Sequence, residues 1–340
     1  MRVLAVRQDN NGDVLLVGPA LRAIAADADV TLLCGPSGAG AARLLPQVAD
    51  VIVARAEWIE GRPRPVDPTR TYDFITAIAA QAFDRAIVFT SFHQSALPVA
   101  LLLRLAGVPW IGAISVDYPG SLLDMRLQVD DDRHEVERAL ALAAACGYRL
   151  PLGDDGALRC GPLPPSSELA AGGPYVVVQP GATVPARAWD PARWRGLVAR
   201  MDALEMRVVI VGSPAEVDLA RSVSGESGAI DTTGHTTFAE FAAIVRDARA
   251  LVVGNTSGIH VASAVGTPVV TIFPPTIPAR RFAPWRVAHA ILGDQTIACA
   301  GCRARACPIP GQPCTAAVED DEILAALATL CAGSKAGICA

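Results

Sequence analysis

Short unbroken runs of Val, Ile, Leu and Ala alternate with longer helical patterns along almost the whole chain, and this constrains the fold most. In the first half the runs are RVLAV, DVTLLC, VIVAR, RAIVFT and WIGAI; VGPALRAIAADA, AARLLPQVA and SALPVALLLRLAG lie between them. The runs are continuous rather than alternating, which is the mark of parallel strands covered on both faces. RHEVERALALAAACG then reads as an amphipathic helix closed by a glycine, and RCGPLPPSSELAAGGP as a linker rich in Pro, Ser and Gly. After it the alternation restarts with YVVVQP, RVVIVG, AIDTTG, ALVVGN and PVVTIF as strands. The expected fold class is α/β, two doubly wound parallel-sheet domains facing one another across a cleft.

At 340 residues the chain exceeds one ordinary core. The expected boundaries are a first Rossmann-like domain over 1–162, a linker over 163–174, a second domain over 175–325 and a tail over 326–340. A formal net charge of -5 without a basic block excludes a nucleic-acid surface. The single lysine, Lys335, means that a cation needed in a site is an arginine. ALPVALLLRLAGVPWIGAI, the most apolar stretch, is interrupted by Arg104, Gly107 and Pro109, so it reads as a buried helix and strand rather than a membrane span. No secretory signal pattern is visible, and a cytoplasmic setting is expected.

Several strand ends carry chemistry. The first run empties into RQDNNGDVLLVGPAL, a polar turn with one glycine, Gly12, and an acid, Asp13. It lacks the G-x-G-x-x-G of a dinucleotide site, which argues against an oxidoreductase. In LVVGNTSGIHVASAVG a buried strand opens into Asn255, Thr256, Ser257 and Gly258, with His260 on the first turn of the following helix. Backbone N–H groups and hydroxyls at a helix start suit a diphosphate; a polar turn with a good N-cap is the plainer alternative. Thr183 and Arg187 follow a second strand, where a guanidinium reaches a phosphate with paired donors or lies on the surface. Ser213 and Glu216 follow a third, where the acid meets ribose hydroxyls or favours the helix start. In the first half, TSFHQS brings His93 and Gln94 to a strand end. HEVER sets His134 and Glu135 at a helix start, facing either a cleft or solvent.

Taken together, GDVLLVGPAL, QPGA…RAWDPARW, TTGHTTFAEFAAIVRDARALVVGNTSGIHVASAVGTPVV and the cysteine-bearing tail resemble glycosyltransferase family 9, the heptosyltransferases, over nearly the whole chain. The resemblance implies a GT-B fold with an acceptor-binding first domain and a nucleotide-sugar-binding second domain. It implies inverting transfer of a sugar, heptose from ADP-heptose above all, to an acceptor hydroxyl, with no catalytic metal. It assigns Asp13 as general base. Thr183, Arg187, Ser213, Glu216, Asn255, Thr256, Ser257, Gly258 and His260 fall on the donor side, and Asn11, Gly12, His93 and Gln94 on the acceptor side. Asn255 stands where the family commonly has Asp, and Gln179 where His is frequent. The implied acceptor is a glycan, a lipid-linked or a small molecule, with peripheral contact with the inner membrane face. An epimerase of the same shape and a non-catalytic scaffold are the competing readings.

CAGCRARACPIPGQPC supplies Cys299, Cys302, Cys307 and Cys314. Soft thiolates at this spacing suit a structural zinc or iron; free thiols or paired disulfides are the alternative. The expectation is that the quartet lies away from the chemistry. Cys34, Cys146 and Cys160 read as buried and structural, Cys331 and Cys339 as members of the tail.

Overall fold

The structure, a computed structural model, describes residues 1–60, 63–130, 132–166 and 172–332. The chain divides into two compact units, Met1–Gly161 and Pro162–Ala340. The expected linker falls partly on 167–171, outside the described residues.

In the first unit the apolar runs become β1 (Arg2–Arg7), β2 (Asp29–Cys34), β3 (Asp50–Val53), β4 (Arg85–Val88) and β5 (Ile111–Ile114), joined by a sixth strand, β6 (Met125–Leu127). They form one parallel sheet in the order β3-β2-β1-β4-β5-β6. The second unit repeats the plan with β7 (Val176–Gln179), β8 (Val208–Ile210), β9 (Ile230–Asp231), β10 (Ala250–Gly254), β11 (Val269–Ile272) and β12 (His289–Leu292), ordered β12-β11-β10-β7-β8-β9. The order reverses between β1 and β4 in one sheet and between β7 and β10 in the other. At such a switch point the connections leave in opposite directions, so a crevice opens at the strands' carboxyl ends.

Central strands are sealed on both faces: Val3, Leu4 and Ala5 of β1 and Leu251, Val252 and Val253 of β10 are fully buried. This burial of apolar surface is the main stabilising term. The helix Glu135–Ala145 starts with a reciprocal cap. His134 Nδ1 accepts from the Val136 amide at 3.2 Å, and Glu137 accepts from the His134 amide at 3.4 Å. His134 and Glu135 are therefore buried, not solvent-facing. Past this helix, Asp154 grips Arg22 of the helix Gly18–Ala25 with two bonds, at 2.7 and 2.9 Å, and Arg22 also donates to the Ala157 carbonyl at 2.8 Å.

The expected tail begins later than 326. Asp320–Ala332 is a helix, and its Ile323, Leu327 and Cys331 are buried in the core of the second unit. Its apolar spacing is helical, and tertiary packing supplies the partner that a solvated tail would lack. Cys339 lies outside the described residues.

Candidate active site

The end of β1 carries a charged cluster. Arg7 is the last residue of the strand and only 2% exposed. Its Nε lies 2.9 Å from Asp9 Oδ2, and its Nη2 donates to Asp13 Oδ1 at 3.1 Å and to Ser91 Oγ at 2.9 Å. Its Nη1 lies 3.8 Å from Glu135 Oε2, and Glu135 Oε1 is 3.3 Å from Arg138 Nε. Gln94 secures the far side of Asp9 by donating from Nε2 to Oδ1, and it accepts from the Ser91 amide at 3.1 Å.

Burial pushes the Asp9 pKa up; Arg7 opposes this, Asp13 adds to it, and the net displacement is upward. Burial likewise raises that of Glu135 against the pull of Arg7 and Arg138. Burial alone would lower the Arg7 pKa, but Asp9, Asp13 and Glu135 overcome it and the net change is upward.

Asp13 stands in the first turn of the helix Asn11–Leu16. The N-cap residue, Asn10, makes no side-chain cap bond. Asp13 is not spent on capping: it is bound to Arg7 and keeps its side chain 21% exposed. Gly12 is buried beside it. Asn11 braces the loop, its Oδ1 accepting from the Ala41 amide at 2.9 Å. His93 and Gln94 line a cleft of about 380 Å³ with Thr90, Ser91, Ser115 and Arg138. Its walls mix hydroxyls and amides with Phe92, Ile114, Val116 and Val129, so polar groups that can meet a hydroxyl-bearing ligand stand among apolar ones.

In the second unit the residues expected on the donor side lie on the turns after β7, β8 and β10. The turn after β10 runs through a buried Asn255 and half-buried Thr256 and Ser257 into the helix Gly258–Val265. Ser257 makes no side-chain cap bond. The plainer N-cap reading is therefore not what its hydroxyl does here. Gln179 ends β7, and its buried Oε1 lies so close over Gly258 that a Cβ there would collide with it. Gly258 keeps this helix start open to a neighbouring polar group. His260 is buried, its ring 6.3 Å from Phe282. Arg187 ends the short turn Pro185–Arg187, and its carbonyl lies 3.5 Å from where a Cβ on Gly254 would sit. The arginine thus flanks the Gly254–Gly258 turn. Thr183, on the same exit, is exposed.

Glu216 does something more local than expected. It accepts from the Ser213 amide at 2.6 Å and from its hydroxyl at 2.8 Å, closing a capping box at the start of the following helical segment. It also packs over Gly181, at the end of β7, where a Cβ would strike its carboxylate. Ser213 and Glu216 are engaged with each other here.

The four cysteines of the late loop lie within electrostatic reach of one another. Burial raises the Cys314 pKa, and the thiols of Cys307, Cys299 and Cys302 raise it further. Cys299, Cys302, Cys307 and Cys314 form no disulfide with one another. Among the described residues, no three His, Cys, Asp or Glu side chains are arranged to hold a metal ion, so the quartet as it stands does not fit one. Its loop contacts the turn Pro185–Arg187. The Arg305 carbonyl accepts from the Ala186 amide at 3.0 Å, and Gln312 donates to the Ala186 carbonyl at 3.0 Å. The loop is stitched to the turn that carries Arg187. Sequence spacing gives no sight of such a backbone contact.

The two sheets share one doubly wound order, with a carboxylate at the switch point of the first and a small-residue helix start and an arginine at that of the second, the two-domain α/β class in which ligands meet the carboxyl ends of the strands. The family model for glycosyltransferase family 9 (heptosyltransferase) matches residues 71–312. The chain belongs to this family and is a glycosyltransferase. Lipopolysaccharide heptosyltransferase 1 of Pseudomonas aeruginosa is 28% identical over 320 residues, 90% of this chain and 87% of that one. Among solved structures, a glycosyl transferase family 9 protein from Veillonella parvula superposes with a TM-score of 0.79 at 16% identity, covering 98% of this chain and 97% of that one. The E. coli ADP-heptose lps heptosyltransferase II gives 0.76 at 17% identity, covering 99% and 100%. The fold is therefore GT-B.

Arg7 and Asp9 are members of this cluster that the sequence reading did not single out, and Glu135 is one whose direction it left open. The available signal was RVLAVRQD itself: an arginine flush with a core strand and an acid two residues later. A charge there must be paired.

Proposed function

We propose that this chain transfers heptose from ADP-heptose to an acceptor hydroxyl with inversion, Asp13 acting as the general base. The observation that carries this reading is the Asp13 carboxylate, bound to Arg7 yet partly exposed at the switch point of the first sheet. In the step, the acceptor oxygen bonds to the anomeric carbon as Asp13 takes its proton. The bond from that carbon to the diphosphate oxygen breaks, and ADP departs with the electron pair. The Gly258–Val265 helix start, the hydroxyls of Thr256 and Ser257, and Arg187 meet the charge developing on the diphosphate. The 380 Å³ cleft beside His93 and Gln94 is the acceptor site in this reading. A glycan, a lipid-linked sugar or a small polyol satisfies the hydroxyls and amides of its lining. A cytoplasmic setting with peripheral membrane contact belongs to the same proposal; among the described residues no helix is long and apolar enough to cross a membrane.

Arg187→Ala is expected to weaken ADP binding by about 1.5–3 kcal/mol, the worth of a charge-assisted phosphate contact. Isothermal titration with ADP measures it. An unchanged dissociation constant would return Arg187 to the surface.

The family resemblance leaves room for a structural zinc or iron on Cys299, Cys302, Cys307 and Cys314, and no step of the reaction is routed through one. Among the described residues, no three of these side chains are arranged to hold an ion. Elemental analysis with a thiol count on the purified protein decides: zinc or iron near one equivalent would mean that the loop closes round a metal.

A further inference from the structure

We propose that Arg7 is a positioning residue for the transfer reaction: its guanidinium fixes the Asp13 carboxylate, and Asp9, Ser91 and Glu135 fix the guanidinium. The proposal rests on reading Asp13 as the base. A guanidinium is a rigid plane of five donors, so partners on different edges fix both its place and its tilt. Here Nη2 hydrogen-bonds Ser91 and Asp13, while Nε and Nη1 meet Asp9 and Glu135 as charge pairs at 2.9 and 3.8 Å, and these partners come from different parts of the fold. Asp9 lies on the loop after β1, Ser91 on the loop after β4, and Glu135 on the helix Glu135–Ala145. Only the remaining contact, Nη2 to Asp13 Oδ1 at 3.1 Å, leads outward.

Exposure separates the roles. The side chains of Arg7, Asp9 and Glu135 are 2%, 7% and 3% exposed, whereas that of Asp13 is 21% exposed. A cluster that served stability alone gains nothing by leaving one carboxylate at the surface. Burying this many charges is a poor route to stability, because desolvation consumes much of the Coulombic gain. A reacting group held by buried supports is the arrangement that precise chemistry needs.

The charged groups around Asp13 are Arg7 from β1, Asp9 from the loop after it, and Glu135 and Arg138 from the helix Glu135–Ala145. His93 acts on Asp9, and His134 is held in its helix cap. Two arginines stand against three carboxylates, which leaves one negative charge in excess (3 - 2). That balance favours uptake of a proton from an approaching hydroxyl. A lysine at position 7 would keep the charge but lose the fork, so Asp13 would become loosely aimed.

The test is ADP release from ADP-heptose, with water as the acceptor, across the accessible pH range. It compares wild type, Asp13→Asn, Arg7→Lys, Arg7→Gln and Ser91→Ala. Arg7→Lys is expected to lower kcat by about 10–100-fold, in line with the cost of sub-ångström misplacement, with the KM for ADP-heptose within about twofold. Arg7→Gln, which also removes the charge, should move the acidic limb of the profile to higher pH by about a unit or more. Ser91→Ala, which takes away one hydroxyl and is gentle on folding, should lower kcat a few-fold with the same unchanged KM. Activity retained by Asp13→Asn removes the base reading, and the proposal with it. An inactive Asp13→Asn beside an Arg7→Lys of wild-type kcat and profile overturns the proposal alone. Should Arg7→Lys fail to fold, an unchanged kcat in Ser91→Ala overturns it equally.

Discussion

Asp13→Asn is expected to lower transfer by about 10³-fold or more, while the dissociation constant for ADP-heptose stays within about twofold. An amide is nearly the same size as the carboxylate and keeps an oxygen for Arg7, so the loop and its cluster should persist. What it cannot do is take a proton. General-base catalysis contributes roughly 10²–10⁴; loss of the negative charge beside the forming oxocarbenium adds to this. An interaction made only in the transition state should appear in kcat and kcat/KM together. Single-turnover kinetics and calorimetric titration of the same variant separate the two quantities. Turnover like that of the wild type would end the assignment; a large loss of donor affinity would move Asp13 to the donor side.

The second large effect concerns folding. Asp154→Ala should destabilise the first unit by about 2–3 kcal/mol. The carboxylate binds Arg22 at two points, and the side chains are only 8% and 10% exposed. Removing one partner of a deeply buried pair costs about 3–5 kcal/mol; this pair lies just beneath the surface, so solvent screening sets the lower figure. The Arg22 hydrogen bonds hold the Asp154 pKa well below the ordinary carboxylate range, with help from the Gly156 amide and against the pull of burial. A depressed folded-state pKa gives stability that is present above the unfolded value near 4 and fades as pH falls through the folded value. Denaturant unfolding at neutral pH should show the full difference between wild type and variant, and the two curves should converge under strong acid. Equal midpoints at neutral pH would show that Arg22–Ala157 and packing hold this loop without Asp154.

How far the sequence could be read is clearest strand by strand. The runs for the inner strands β1, β2, β4, β5, β7, β8, β10 and β11 were legible, because a strand buried on both faces has no choice but to be apolar; the edge strands β3 and β9 were legible from their place in the strand-and-helix alternation. β6 and β12 were not. Each is an edge strand: Met125, Arg126 and Leu127 are all half-buried, and His289 is exposed. Only one neighbour and part of one face constrain such a strand, so its sequence carries little signal. The helix Glu135–Ala145 was legible with its Gly147 exit, which takes φ +96°. The direction in which Glu135 faces was not, since that depends on the phase of the helix against a sheet whose residues lie far away in the chain.

The sequence by itself determined the class. Continuous apolar runs, each followed by a helical pattern, leave a doubly wound parallel sheet as the way to bury both faces, and the missing glycine fingerprint removed the dinucleotide reading. It also determined which strand ends carry polar chemistry, Asp13 and the Asn255–Gly258 turn among them. Only the tertiary structure decided what those groups do to one another. It brought Arg7 against Ser91 and Glu135, laid Gln179 over Gly258, turned Glu216 back onto Ser213 and tied the cysteine loop to Ala186. The physical reason is range. Strand and helix patterns follow from burial of each residue's own surface, which local sequence records. An ion pair or a hydrogen bond between distant segments depends on register and packing of the whole sheet, which no local pattern encodes.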